Sequence, residues 1–243
     1  MTFKDIRLFE VGGSIRDELM GIKNPPDRDF CAESPGGWEA LLEWANQTME
    51  RVFVIKPQFF TIRGRMKSGD SIDVVMCRKD GPSFDGRHPD HVEPGTLLDD
   101  LARRDFTINA MAREVDPTTL EPIGEIIDPF HGRQHLISGI LRCVGVTSTR
   151  FEEDGLRVLR AVRFSITKDL EFCPDLLANL KSGHWWTFAG ETVSNERIRE
   201  ELTKMFKHDT LRTMIRFVEH LPGEALMLLE TAGIWLKPTM EKK

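Results

Sequence analysis

Val11-Gly12-Gly13-Ser14-Ile15-Arg16-Asp17, followed by the spaced carboxylates of Asp27-Arg28-Asp29, is the stretch on which the reading of this chain turns. The run Ile6 to Val11 enters the glycine pair as a short strand, and a helix leaves it from Ser14 to about Met20, with Gly21 as its stop. Ser14 is the expected N-cap, its hydroxyl suited to an orphan N–H of the first turn. A strand, a glycine pair and a helix N-terminus present backbone N–H groups and a positive dipole to a phosphate, and Arg16 adds a cation near that mouth. Phe30 and Cys31 continue from Asp29 as a strand, so Asp27 and Asp29 project from one face with Arg28 turned the other way. Two carboxylates so close repel unless a cation sits between them, and hard divalent ions such as Mg²⁺ suit oxygen ligands. Taken alone, Asp-x-Asp after Pro25-Pro26 reads first as a solvated turn. The rest of the chain reverses that.

Working outward, Trp38 to Gln47 has helical periodicity with Leu41, Leu42 and Ala45 inward. Three β segments follow: Arg51 to Ile55, Phe59 to Arg65 and Ser71 to Arg78. Asp73 lies inside the last of them, where an ionisable group needs a partner or a metal to offset desolvation. It is either a third carboxylate facing Asp27 and Asp29 or a surface position on an edge strand. Residues 79–98 are rich in Gly, Pro, Asp and His and read as a long loop, a length more often functional than idle. Asp99 to Ala112 reads as a helix with Leu101, Ile108 and Met111 as its stripe and Phe106 on the flank. On it, Arg103, Arg104 and Asp105 fall together and Asn109 stands one turn beyond Asp105. A β excursion spans Arg113 to Asp116 and Glu125 to Asp128.

From about Thr149 the chain reads as all helical. Phe151 to Ile166 buries Leu156, Leu159, Val162 and Ile166, and carries Asp154, Arg157, Arg160 and Arg163 on another face. Asp154 and Arg157, one turn apart, can hold each other's side chains and offer donors and acceptors to the edge of a nucleobase; a surface ion pair would look the same. Pro174 to Lys181, Ser194 to Lys207 and Leu211 to Leu229 are amphipathic helices, with Ser194 as an N-cap and Glu196 in its first turn. Trp185-Trp186, read as a loop, is a packing anchor before it is a base-stacking surface.

The bulk numbers limit the classes. The chain has 243 residues and a net charge of −6, so the whole is no basic nucleic-acid coat, although a local basic groove can act within an acidic protein. The 4 cysteines are scattered and read as reduced, buried thiols rather than a disulfide framework or zinc site. The N-terminus lacks a signal-peptide run, and no stretch approaches the ~18 apolar residues of a membrane span. The expected location is the cytoplasm, with no membrane partner.

The ordered set Val11-Gly12-Gly13-Ser14-Ile15-Arg16-Asp17, Asp27-x-Asp29, Arg103-Arg104-Asp105-Phe106-Thr107-Ile108-Asn109-Ala110, Asp128-Pro129-Phe130 and Glu153-Asp154-Gly155-Leu156-Arg157 resembles the class II tRNA nucleotidyltransferases. These are the CCA-adding enzymes and their poly(A) polymerase relatives of the DNA polymerase β superfamily. Ser194 to Leu202 also looks like a motif of the family, and the similarity runs from about residue 8 to 206. The resemblance implies an α+β fold: a nucleotidyltransferase head with a small mixed sheet and flanking helices over 1–146, then an all-α neck and partial body over 147–243. It implies Asp27 and Asp29 as catalytic metal ligands for two Mg²⁺ ions; Asp73, from its place in the strand, is the candidate for a further catalytic carboxylate. Gly12, Gly13 and Arg16 would contact the triphosphate and Arg104 the nucleotide, Asp154 and Arg157 would read the base, and Arg160 and Arg163 would support the nucleotide; Asn109, one turn beyond Asp105, is a further nucleotide-binding candidate. The implied activity is template-independent addition of CCA to tRNA 3′ ends from CTP and ATP. CC addition, A addition, poly(A) synthesis, or an inactive RNA-binding protein of the same fold remain alternatives. Lys56-Pro57-Gln58-Phe59 lacks the Gly-Arg-Arg/Lys element associated with the poly(A) polymerases, which favours tRNA.

The chain departs from the family pattern in places. His135 stands where an aspartate is usual, His88 where an arginine often follows Arg87, and Gly155 replaces a proline, which would loosen that helix start. Family members usually continue through further helical domains, so the resemblance implies a compact or truncated member, or one whose tRNA-binding surface is completed by a partner or by its own copies. Loop 79–98 is the candidate moving part.

Overall fold

The computed structural model describes residues 5–22, 28–81 and 91–233. They form two compact units, one running to residue 138 with a return at 142–145, the other comprising 139–141 and 146 onward. Asp27, Arg87 and His88 lie outside the described residues.

The first unit comprises β1 (Arg7–Val11), α1 (Gly13–Leu19), β2 (Asp29–Glu33), α2 (Gly37–Thr48), β3 (Met49–Lys56), β4 (Thr61–Met66), β5 (Ser71–Met76), β6 (Arg78–Asp80), β7 (Val92–Pro94), α3 (Leu97–Ala102), β8 (Ala112–Val115), β9 (Pro122–Ile127) and α4 (Gly132–Ile137). Seven strands make one sheet in the order β3-β4-β5-β2-β1-β8-β9. Only β2 and β5 pair in parallel, because a helix and a hairpin carry the chain from one to the other. Strand alternation sorts the faces: Ile72, Val74 and Met76 of β5 point into a core shared with Leu41 and Trp44 of α2, while Asp73 points to the opposite face. Trp44 satisfies its indole N–H on the Pro117 carbonyl at 3.1 Å. On the opposite face Phe9, Val11, Cys31, Cys77 and Leu101 form a second apolar cluster, roofed by α3.

Two expectations change here. The helix expected over Asp99 to Ala112 is a single short one, α3, which ends at Ala102; Thr107–Asn109 is a 3₁₀ turn and Ala112 already starts β8. Phe106, Ile108, Ala110, Met111 and Ala112 are all buried, so the stretch has no solvent face of the kind a helical stripe implies. Its extended backbone instead pairs with residues far along the chain, Phe106 bridging Cys143 and the Thr107 N–H donating to the Arg142 carbonyl at 2.9 Å. The loop expected over 79–98 begins and ends as a ribbon, β6 against β7, and its middle, 82–90, lies outside the described residues.

The second unit holds β10 (Ile140–Leu141), α5 (Thr147–Glu153), α6 (Leu156–Thr167), β11 (Glu171–Phe172), α7 (Pro174–Leu180), α8 (Gly183–Thr192), α9 (Asn195–His208), α10 (Thr210–His220) and α11 (Gly223–Thr231). It is helical apart from the short parallel pair β10–β11. Leu159, Val162 and Ile166 of α6 are buried as expected. Trp185 and Trp186 are not in a loop but inside α8, and both are buried; Trp186 donates to the Leu180 carbonyl at 2.8 Å and meets Phe217 edge-on. They are packing residues. The helix expected over Leu211 to Leu229 breaks at Leu221-Pro222 into α10 and α11. Ser194 occupies the N-cap of α9 without a side-chain cap bond.

The chain is therefore an α+β protein, a mixed sheet with flanking helices followed by a helical half. All 4 cysteines are buried and none is in a disulfide. Among the described residues no helix is long and apolar enough to cross a membrane.

Candidate active site

The glycine pair forms the floor of the first cluster. The N-cap of α1 is Gly12, not Ser14, with φ 81° and ψ −122° and no side-chain cap bond. Ser14 sits inside the first turn with its hydroxyl buried and unbonded. Two constraints fix glycine at position 12: the positive φ disfavours an L side chain, and a Cβ there would lie 2.7 Å from Nη1 of Arg104. Arg104 is held over the glycine by bonds to the Asn109 carbonyl (3.4 Å) and the Asp100 carboxylate (3.1 Å). Arg16 donates to Asn109 Oδ1 at 2.5 Å and to Asp17 at 2.8 Å, and the Asn109 amide donates to Asp105 at 3.0 Å. Gly12, Gly13, Arg16, Arg104 and Asn109 thus come together in one cluster. The Asp105–Asn109 contact survives although the helix expected to produce it does not.

Asp100 is a member of this cluster that the sequence reading passed over. Fully buried, it accepts from both Arg103 (2.5 Å) and Arg104 (3.1 Å). Burial pushes its carboxyl upward, but the two guanidiniums outweigh burial and hold it below the ordinary carboxylate range. The available signal was its spacing, three and four residues ahead of two arginines. Gly12→Ala is expected to displace Arg104 and weaken anion binding at this floor by about tenfold, the equivalent of ~1.4 kcal/mol. Titration with inorganic triphosphate checks it, and an unchanged affinity removes Arg104 from anion binding.

The carboxylates stand beside this floor. Asp29, exposed at the start of β2, is the register partner of Val11, the residue before the glycine pair, and of Asp73 across the parallel ladder. Arg28 turns away, as expected, to a bidentate pair with buried Glu10 at 2.9 and 3.0 Å. Asp73 is engaged by Arg63 through both oxygens, one bond measuring 2.5 Å. That hydrogen-bonded pair raises the Arg63 pKa, with a smaller contribution from the charge of Asp29. Opposed carboxylates on adjacent strands are hard oxygen donors and fit a hard divalent cation. Asp29 and Asp73 are the donors of that kind among the described residues, which hold no cluster of three His, Cys, Asp or Glu.

The second unit carries the other predicted residues, and here the structure corrects the sequence reading. The helix expected from Phe151 to Ile166 is broken: α5 ends at Glu153, Asp154 is extended (φ −153°, ψ 106°), and α6 starts at Leu156. Asp154 and Arg157 do not hold each other as a surface pair. Asp154 accepts from the Leu156 N–H at 3.1 Å and pairs with Arg197 at 3.0 Å. Arg157 pairs with Glu153 at 2.6 Å and donates to the Arg150 carbonyl at 3.0 Å. Arg160 and Arg163 both reach buried Glu201, the former at 3.9 Å. Arg197 and Glu201 lie in the Ser194 motif, which the sequence reading noticed without giving these residues a role. Gly155 lets α8 approach closely, since a Cβ there would sit 2.8 Å from Thr192 Oγ1 and 3.2 Å from the Ala189 Cα. His135 bonds Thr107 Oγ1 at 3.0 Å; burial, with Arg142 and His131 nearby, lowers its pKa.

The family profile described as Poly A polymerase head domain matches residues 8–142, more than half of the chain. The chain belongs to the CCA-adding enzyme and poly(A) polymerase family. The match takes in the whole glycine–arginine cluster and the Asp29–Asp73 pair; Asp154 and Arg157 lie beyond it. A CCA-adding enzyme of Lactobacillus johnsonii is 39% identical over 197 residues, covering 80% of this chain and 45% of its own length. A multifunctional CCA protein of Burkholderia multivorans is 32% identical over 240 residues, covering 96% of this chain and 54% of its own. The Thermotoga maritima CCA-adding enzyme solved in complex with tRNA superposes with a TM-score of 0.70 at 28% identity, covering 94% of this chain and 50% of that one. The Bacillus stearothermophilus CCA-adding enzyme in complex with CTP gives 0.70 at 27% identity, over 94% and 53% of the two chains. The chain spans about half the length of the curated family members it matches.

Proposed function

We propose that this chain is a template-independent RNA nucleotidyltransferase that adds CCA to tRNA 3′ ends from CTP and ATP in the cytoplasm. The observation that carries the reading is the Asp29 carboxylate one strand from a glycine–arginine phosphate floor, in a chain whose relatives are CCA-adding enzymes solved with tRNA and with CTP. In the reaction the RNA 3′-hydroxyl oxygen bonds to the α-phosphorus of the nucleotide, the hydroxyl proton departs, and pyrophosphate leaves. Arg16 and Arg104, with the backbone N–H groups after Gly12, bind and orient the triphosphate. Asp27 and Asp29 would hold two Mg²⁺ ions, whose chemistry is to activate the hydroxyl and neutralise the leaving group. Asp73, the third carboxylate of this reading, adds charge beside Asp29 and is oriented by Arg63.

Nucleotide choice is assigned to the second unit, 147–243 in the proposed division. Asp154 and Arg157 read the base edge, with Arg197 and Glu153 setting their orientations and Glu201 doing so for Arg160 and Arg163. Because the readers belong to the protein, no template is needed.

The test is incubation with tRNA lacking its 3′ CCA, Mg²⁺, and CTP or ATP alone and together, with products resolved to one nucleotide. Addition of CC with CTP and of CCA with both supports the reading. Runs of A move the chain to the poly(A) branch, and RNA binding without extension sinks the enzymatic reading. Asp154→Ala is expected to blur the choice between CTP and ATP by about tenfold or more, since a base-edge contact discriminates by about 1–3 kcal/mol. Unchanged selectivity in competition assays refutes the assigned role.

A further inference from the structure

The sheet face that carries the carboxylates continues to the free edge of the sheet. Asp29 on β2 is opposed by Asp73 on β5, Asp73 by Arg63 on β4, and Arg63 by Val54 on β3. Directly opposed residues share a face. Farther along β4, Arg65 faces Arg51 on β3, and a register irregularity between Val52 and Val54 brings in Phe53. Its ring is 43% exposed, and the guanidiniums of Arg51 and Arg65 lie 5.7 and 5.8 Å from its centroid. Neither arginine has a carboxylate partner among the described residues, whereas Arg7, Arg28, Arg63 and Arg113 of the same sheet, or next to it, are all paired. The core beneath is already filled by Ile62 and Met66, so Phe53 is not needed there.

We propose that Phe53, Arg51 and Arg65 form a platform for the single-stranded 3′ end of the acceptor RNA, one base stacking on the ring and the two guanidiniums taking the flanking phosphates. Exposed aromatic rings beside unpaired arginines are what sequence-tolerant single-strand binding uses. This deepens the proposed function and rests on it. Three strand spacings of ~4.8 Å separate β3 from β2, so the platform stands about 14 Å from Asp29. It therefore holds a nucleotide upstream of the reacting end and acts on RNA affinity rather than on nucleotide choice.

The test compares wild type, Phe53→Ala, Phe53→Trp and the Arg51→Gln/Arg65→Gln double variant. It measures extension kinetics and fluorescence anisotropy with labelled tRNA lacking its CCA, and mass by light scattering. Phe53→Ala is expected to raise the RNA KM and the anisotropy Kd about tenfold while the CTP KM holds, and Phe53→Trp to restore both. The double variant is expected to lower the salt dependence of RNA binding by about two counterions. If wild type extends no RNA, the transferase reading fails, and anisotropy alone decides the platform. RNA affinity unchanged in Phe53→Ala and in the double variant overturns the platform. A dimer that Phe53→Ala dissociates without loss of RNA affinity gives the edge to a second copy instead.

Discussion

Replacing Asp29 with alanine is expected to lower nucleotide transfer by about 10³-fold or more while leaving the fold intact. Asp29 is exposed at the first position of β2, so its side chain supports no core packing, and surface changes of this kind shift stability by about 0.5 kcal/mol or less. Its place in the chemistry is different. The register that sets it beside Val11 and Asp73 puts its charge next to the glycine pair proposed to hold the triphosphate. Loss of a cation-holding carboxylate removes several kcal/mol of charge stabilisation at the reacting phosphorus, and each ~1.4 kcal/mol is a factor of ten in rate. Gly12, Arg16 and Arg104 are untouched by the change, so the variant is expected still to bind CTP. Single-turnover extension, a thermal melt and CTP titration separate these outcomes. Transfer retained to within tenfold of wild type, with the melt unchanged, removes Asp29 from the mechanism.

What was legible in the sequence was whatever local periodicity or spacing controls. The strand into Gly12-Gly13, α2, the alternating β5 with Asp73 facing away from Ile72 and Val74, and the buried stripe of α6 were all readable one residue against the next. What failed was decided by partners far along the chain. Phe106 adopts an extended backbone because Cys143 pairs with it, and no property of 99–112 announces that partner. Asp154 breaks its helix and binds Arg197, 43 residues on, so the three-residue spacing to Arg157 was real but its meaning was not an ion pair. Trp185 and Trp186 read as a loop, yet helix formation lets both indoles be buried with their N–H groups satisfied by Asn179 and Leu180. The candidate site residues could be named from motifs. The residues that orient them, Asp100, Glu153, Arg197 and Glu201, needed the fold.

Asp100 is where that distinction carries the largest stability effect. Asp100→Ala is expected to destabilise the protein by about 3 kcal/mol, because removing one partner of a buried charge cluster leaves the others unpaired. The carboxylate is fully buried while Arg103 and Arg104 are only about a quarter exposed, so water cannot replace it for either. At ~2–4 °C per kcal/mol for a chain of this size, the melting temperature falls by about 6–12 °C. Asp100→Asn keeps the shape and loses the charge, and separates electrostatics from packing. The Asp100 carboxyl is held below its unfolded value, burial opposing and the two arginines prevailing. Its contribution is therefore fully present above about pH 4 and lost as pH falls through the folded pKa. Urea melts at pH 7 and near pH 3 are expected to show a gap between wild type and the Asn variant that narrows at the lower pH. On the proposed role of Arg104, function follows the same guanidinium, since among the described residues Arg104 without Asp100 keeps its long bond to the Asn109 carbonyl over Gly12. The nucleotide KM of Asp100→Asn should therefore rise along with the loss of stability. A variant within about 1 kcal/mol of wild type at pH 7, with an unchanged nucleotide KM, places the support of Arg104 elsewhere.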